Sequence, residues 1–106
     1  MLMPKQRPPT SPGTMLEEEF LRPLGISQTE LAKRLCVPFQ RINRVMNQRQ
    51  AITPDTAMRL ARFFGNGPDY WLYLQLKWDL WHAMQTKNAK VIQTIRPVKY
   101  SQAMLA

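Results

Sequence analysis

The sequence predicts an all-α domain of five helices. Three observations carry that prediction. Apolar residues recur at three- and four-residue spacing, Ser, Thr and Pro stand where helices would start, and Gly or Pro clusters stand where they would stop. The 106 residues suffice for one domain around one small core. Residues 1–11, rich in proline and polar groups, read as a flexible arm carrying the basic Lys5 and Arg7. A first helix opens at the Ser11-Pro12 cap and runs to about Arg22, with Met15, Leu16, Phe20 and Leu21 as its buried side. Glu17, Glu18 and Glu19 suit its positive amino-terminal part. Being consecutive, they point about 100° apart and do not converge on a metal or acid–base site. Pro23-Leu24-Gly25 ends this helix.

Ser27 and Glu30 make a capping box in front of Leu31, Ala32 and Leu35, the apolar face of a second helix. Cys36-Val37-Pro38 breaks it, because the proline ring disfavours helical geometry at Val37 and itself suits a first helical position. Ile42, Val45 and Met46 face inward from a third helix, which leaves Phe39, Gln40, Asn43, Arg44 and Asn47 outside. Two short helices joined by a tight turn, the second offering amide, guanidinium and aromatic groups, form a helix-turn-helix. Such a rigid helix is what a DNA major groove admits. Cys36 stands at a turn position that often needs left-handed backbone, which costs a residue other than glycine about 1–2 kcal/mol.

A fourth helix opens at Thr53-Pro54-Asp55, where threonine caps, proline takes the first turn and aspartate meets the dipole. Ala57, Met58, Leu60, Ala61 and Phe64 keep helical spacing up to the Gly65-Asn66-Gly67-Pro68 turn. A fifth helix, from about Asp69 to Thr86, is apolar on two sides. Trp71, Leu74, Trp78 and Trp81 trace one stripe, and Leu72, Tyr73, Leu76 and Leu80 trace another. A domain this small buries one stripe of such a helix, so the tryptophan stripe is expected to meet a second copy or another partner. Residues 12–87 then form the helix-turn-helix domain and residues 88–106 a tail. Val91-Ile92-Gln93-Thr94-Ile95 has β-branched character and suggests a short strand ended by Pro97. Inside a helical domain a lone strand has no mate, so it is either disordered alone or paired elsewhere.

The net charge is +8, and residues 27–64 hold seven basic side chains against Glu30 and Asp55. A concentrated basic surface attracts a polyanion through counterion release. One cysteine makes neither an intrachain disulfide nor a zinc site. His82 is the single histidine and has no acid partner in the sequence around it. Phosphate-cradling glycine loops and nucleophile arrangements are absent, so no catalytic residue, metal or cofactor is expected. The amino terminus lacks a signal peptide's apolar run and no stretch spans a bilayer, so the expected compartment is the cytoplasm and no membrane partner is expected.

On the third helix, Gln40, Asn43 and Arg44 are the expected base readers, since arginine matches guanine while glutamine and asparagine match adenine. Phe39 suits contact with thymine methyl groups. Gln28, at the first turn of the second helix, is expected at a phosphate, with Arg41, Asn47, Arg49 and Thr53 as further backbone contacts.

Residues 12–81 resemble the HigA (VapI) group of antitoxins within the phage-repressor-like, XRE-type helix-turn-helix family. The matching stretches are Pro12-Gly13 with Leu16-Glu17-Glu18-Glu19-Phe20-Leu21, Leu24-Gly25-Ile26-Ser27-Gln28, Leu31-Ala32 and Arg41-Ile42-Asn43. The block from Ala51 to Gly65 and the run Trp71-Leu72-Tyr73-Leu74-Gln75 make the resemblance specific. It implies a homodimeric antitoxin that binds a co-encoded ribonuclease toxin similar to HigB and represses its own operon at a palindromic operator on double-stranded DNA. The chain departs from the family's usual glycine at Cys36 and Gln48. Competing readings are a stand-alone phage-type repressor without a toxin and, with DNA binding lost, an interaction adaptor using the tryptophan helix.

Overall fold

The computed structural model describes residues 7–100, and among them six helices and no strand. Lys5 and the end of the tail, residues 101–106, lie outside the described residues. Ser11 opens the first helix from extended backbone, its Oγ accepting from the Thr14 N–H at 3.1 Å. Helix α1 continues through residues 12–24 in three unbroken stretches: Pro12–Leu16, a π turn at Glu17–Leu21, and Arg22–Leu24. It therefore passes through Pro23 instead of ending near Arg22. Proline offers no N–H to the Glu19 carbonyl, and its ring crowds that carbonyl. The wider π turn, in which the Arg22 N–H reaches back to the Glu17 oxygen, absorbs the mismatch. Gly25, at φ 66°, then stops the helix.

Helices α2 (Gln28–Leu35) and α3 (Phe39–Met46) make the helix-turn-helix. Ser27 caps α2 through the Glu30 N–H at 3.0 Å. Pro38 is the extended residue that precedes α3, one position earlier than its expected place as the first helical residue. Thr53 caps α4 (Pro54–Phe64), and α5 (Pro68–Ala83) follows the Gly65 stop. The core gathers Leu16 and Leu21, Leu31, Ala32 and Leu35, Ile42 and Val45, Ile52, Ala57, Leu60 and Ala61, then Trp71 and Leu74.

One close contact fixes where α3 sits. A Cβ on Gly13 would lie 2.6 Å from the Val45 carbonyl oxygen and 2.7 Å from that of Met46. Helix α1 thus packs backbone to backbone on the carboxyl end of α3, where only glycine fits. Further along α1, Phe20 lies between Phe64 and Trp71, at ring-centre distances of 4.8 and 4.9 Å. The buried indole N–H of Trp71 donates to Asn66 Oδ1 at 2.9 Å.

Trp71 is 0 % exposed and Leu74 is buried beside it, which corrects the expectation that both face a partner. The core ends after the second turn of α5, so the tryptophan stripe divides. Trp78 and Trp81, further along, are half-buried, while Tyr73 and Leu76 of the other stripe are exposed, as is Tyr70.

The expected strand is also corrected. Residues Lys87–Gln93 form a short helix, α6, that buries no side chain. Without a mate, a strand leaves its backbone groups unpaired, whereas a helix pairs them locally. Thr94 closes it, its N–H and Oγ both donating to the Val91 carbonyl, at 3.0 and 2.6 Å. Among the described residues no helix is long and apolar enough to cross a membrane.

Candidate nucleic-acid interface

Ile42 and Val45 anchor α3 in the core, and helical spacing then forces Gln40, Arg44 and Asn47 to the opposite side. All three are exposed, as is Phe39 at 43 %. Asn43 takes a different part. Its Nδ2 donates to Gln28 Oε1 at 3.1 Å, and its Oδ1 accepts from Asn47 Nδ2 at 3.3 Å. An amide relay therefore runs from the end of α3 to the first turn of α2, with Asn43 as its bridge. Sequence spacing put Asn43 outward but gave no sign that Gln28, fifteen positions earlier, would meet it.

Both turns that flank α3 are left-handed at residues other than glycine, Cys36 at φ 59° and Gln48 at φ 55°. In each, the N–H of the following residue closes the helix end: Val37 on the Ala32 carbonyl at 3.0 Å and Arg49 on the Arg44 carbonyl at 2.8 Å. Gln48 also ties this end to α1, its Nε2 donating to the buried Ser11 Oγ at 2.8 Å. Ile52, in the segment after α3, gives its N–H to Gln75 Oε1 of α5 at 2.8 Å.

Arg41, expected at the DNA backbone, is paired within the fold. Its Nη1 donates to Asp55 Oδ2 at 2.6 Å, and the same oxygen accepts from Arg59 Nε at 2.9 Å. Arg59 Nη1 reaches on to the carbonyls of Leu35 and Cys36, at 2.8 and 3.3 Å, covering the end of α2. The hydrogen bonds from Arg59, then from Arg41, hold the Asp55 carboxyl below its ordinary pKa. The Asp55–Arg59 pair has the i, i+4 spacing that sequence can show. Arg41–Asp55 has no such signal.

Thr53 spends its Oγ on capping, accepting from the Thr56 N–H at 3.4 Å, while Arg49 stands exposed just beyond α3. Among the described residues no three His, Cys, Asp or Glu side chains gather to hold a metal. His82 Nδ1 lies 2.9 Å from the Trp78 carbonyl, its ring 4.3 Å from that tryptophan.

The helix-turn-helix family matches residues 18–71 of the chain. Virulence-associated protein I of Dichelobacter nodosus is 43 % identical over 79 % of this chain and 78 % of its own length. Antitoxin HigA-1 of Vibrio cholerae is 38 % identical over 72 % of this chain and 71 % of its own length. The structure of the Pseudomonas aeruginosa antitoxin HigA with the higBA promoter superposes with a TM-score of 0.79 at 31 % identity, over 86 % of this chain and 99 % of that one. On sequence and architecture together, the chain belongs to the XRE-type helix-turn-helix family, in its HigA (VapI) group.

Proposed function

We propose that the chain is an antitoxin that represses its own operon, a homodimer placing α3 of each copy in the major groove of a palindromic operator and neutralising a HigB-like ribonuclease toxin. The observation that carries the DNA-binding half is the outer side of α3. Gln40 and Arg44 stand exposed with Phe39 on a helix whose inner side is locked into the core. A relative of the same fold is seen with its promoter, which supports the same docking here. Gln40 and Arg44 read base edges and Phe39 meets thymine methyl groups. Asn43 reads less directly, since it spans Gln28 and Asn47. Gln28, Asn47 and Arg49 hold the phosphate backbone, with Thr53 beside them at the start of α4, where its capping leaves the Asp55 N–H open. A protein that binds its promoter works where that DNA lies, in the cytoplasm.

Binding titrations on a duplex from the chain's own promoter and on a scrambled duplex test this reading. Arg44→Ala is expected to lose about 1–3 kcal/mol on the promoter and little on the scramble. Arg49→Ala is expected to weaken both alike. Equal losses on both duplexes for Arg44→Ala would remove it from the base readers. The toxin half is tested by co-purification with the product of a neighbouring small reading frame and inhibition of its ribonuclease activity. Failure of that arm alone leaves a repressor without a toxin.

A further inference from the structure

Asp55 is the one carboxylate on α4, and it lies between two arginines of different duty. Arg41 belongs to α3, the helix read above as entering the groove, and stands on its flank between the core side and the outer side. Left to itself, a guanidinium there is a phosphate contact, the kind that binds any sequence. Asp55 instead draws it back towards α4, with Arg41 Nη1 at 2.6 Å. Arg59 holds the carboxylate in place from one turn along the same helix, at 2.9 Å, and is itself fixed to the Leu35 and Cys36 carbonyls at the turn between α2 and α3. Carboxylate and guanidiniums thus connect α4, the turn and the groove-facing helix.

Stability is not what such a network chiefly supplies. The Asp55 side chain is half exposed and those of Arg41 and Arg59 are about a third exposed, a setting in which ion pairs add little to folding. What it does fix is position. One negative charge is spent at the edge of a surface whose other charges favour DNA, and an uncommitted Asp55 would repel phosphate. Paired, it neutralises an arginine on the helix that approaches the groove and leaves Gln40 and Arg44 as that helix's exposed polar contacts beside Asn47.

We propose that Asp55 is a specificity-determining positioning residue: by holding Arg41 off the DNA backbone it lowers sequence-blind affinity and so raises the preference for the operator. The inference rests on the DNA-binding reading of α3 and deepens it. It predicts that loss of the carboxylate tightens binding to the wrong DNA.

The experiment measures the affinity of the full chain, of Asp55→Asn and of the double variant Asp55→Asn/Arg41→Gln for two duplexes of equal length. One is taken from the DNA immediately upstream of the gene, the other is its scramble, and each is titrated across a range of salt. For Asp55→Asn the affinity for the scramble is expected to rise about 3- to 10-fold. Its salt dependence should steepen by about one phosphate contact, and the promoter-to-scramble ratio should fall. The double variant should return the scramble affinity and the salt slope to those of the unaltered chain, which a purely structural role for Asp55 would not produce. Thermal melts of both variants identify losses that come from unfolding. An unchanged ratio and slope in Asp55→Asn, or equal weakening on both duplexes, would overturn the proposal. Absence of promoter preference in the unaltered chain would instead sink the operator reading, while the scramble slopes still report whether Asp55 restrains Arg41.

Discussion

The two halves of α5 are alike in composition and opposite in surroundings. Its first half puts Trp71 and Leu74 into a core where α1 and α4 supply the opposing side chains, and where Asn66 satisfies the indole N–H. Its second half carries Leu76, Trp78, Leu80 and Trp81; among the described residues none of these is fully buried, and Leu76 stays 46 % exposed. Hydrophobicity is therefore a poor guide to burial along this helix. What decides is whether another element reaches that turn. The largest test of the contrast uses one residue type on both sides. Trp71→Ala should cost about 3–5 kcal/mol in urea or thermal unfolding, since it opens a cavity beside Phe20, Phe64 and Tyr70. Trp78→Ala, two turns on and half-buried, should cost about 1 kcal/mol. Equal costs would mean that the core runs the whole length of α5.

The same contrast explains what the sequence made legible. Periodicity and caps sufficed for every helix of the DNA-facing unit, because Ser11, Ser27 and Thr53 act within three residues of themselves. The outer side of α3 followed from its inner side, Ile42 and Val45. Partnerships across the fold did not follow. Gln28 with Asn43, Arg41 with Asp55 and Gln48 with Ser11 join residues 14 to 37 positions apart, and no local pattern marks them. Gly13 matched the family block, but the reason, a backbone contact with the end of α3, needed the packed structure. The strand expected at Val91–Ile95 failed for the converse reason: β-branched composition describes a preference for a sheet, and among the described residues there is no sheet to join.

A smaller effect sharpens the picture of the closed unit. Its two turns around α3 hold Cys36 and Gln48 in left-handed backbone, where the ends of α1 and α4 use Gly25 and Gly65. If the unit is well satisfied throughout, relieving that strain should register as stability. Cys36→Gly removes a penalty of about 1–2 kcal/mol and adds glycine's freedom in the unfolded chain, for a net gain of about 0.5–1 kcal/mol. Thermal unfolding at fixed protein concentration measures it. A loss instead of a gain would show that the Cys36 side chain contributes packing that its exposed position does not suggest.

The smallest effect on folding should come from the open half of α5, and there the informative readout is mass. Leu76 and Tyr73 are exposed on the helix, and Leu76→Ser removes no core contact, so the stability of the single chain should change by no more than about 0.5 kcal/mol. If that face is where two copies meet, the same change removes apolar area from the contact and buries a hydroxyl against the partner's apolar groups. Light scattering or sedimentation at micromolar concentration should then show a dimer for the unaltered chain and a shift towards monomer for Leu76→Ser. Operator affinity should fall with it, because two linked recognition helices gain from effective concentration what one short helix lacks. A Leu76→Ser chain that stays dimeric and keeps its operator affinity would move the contact to another surface, with the exposed Val91, Ile92 and Ile95 of α6 and the residues after it next to be changed.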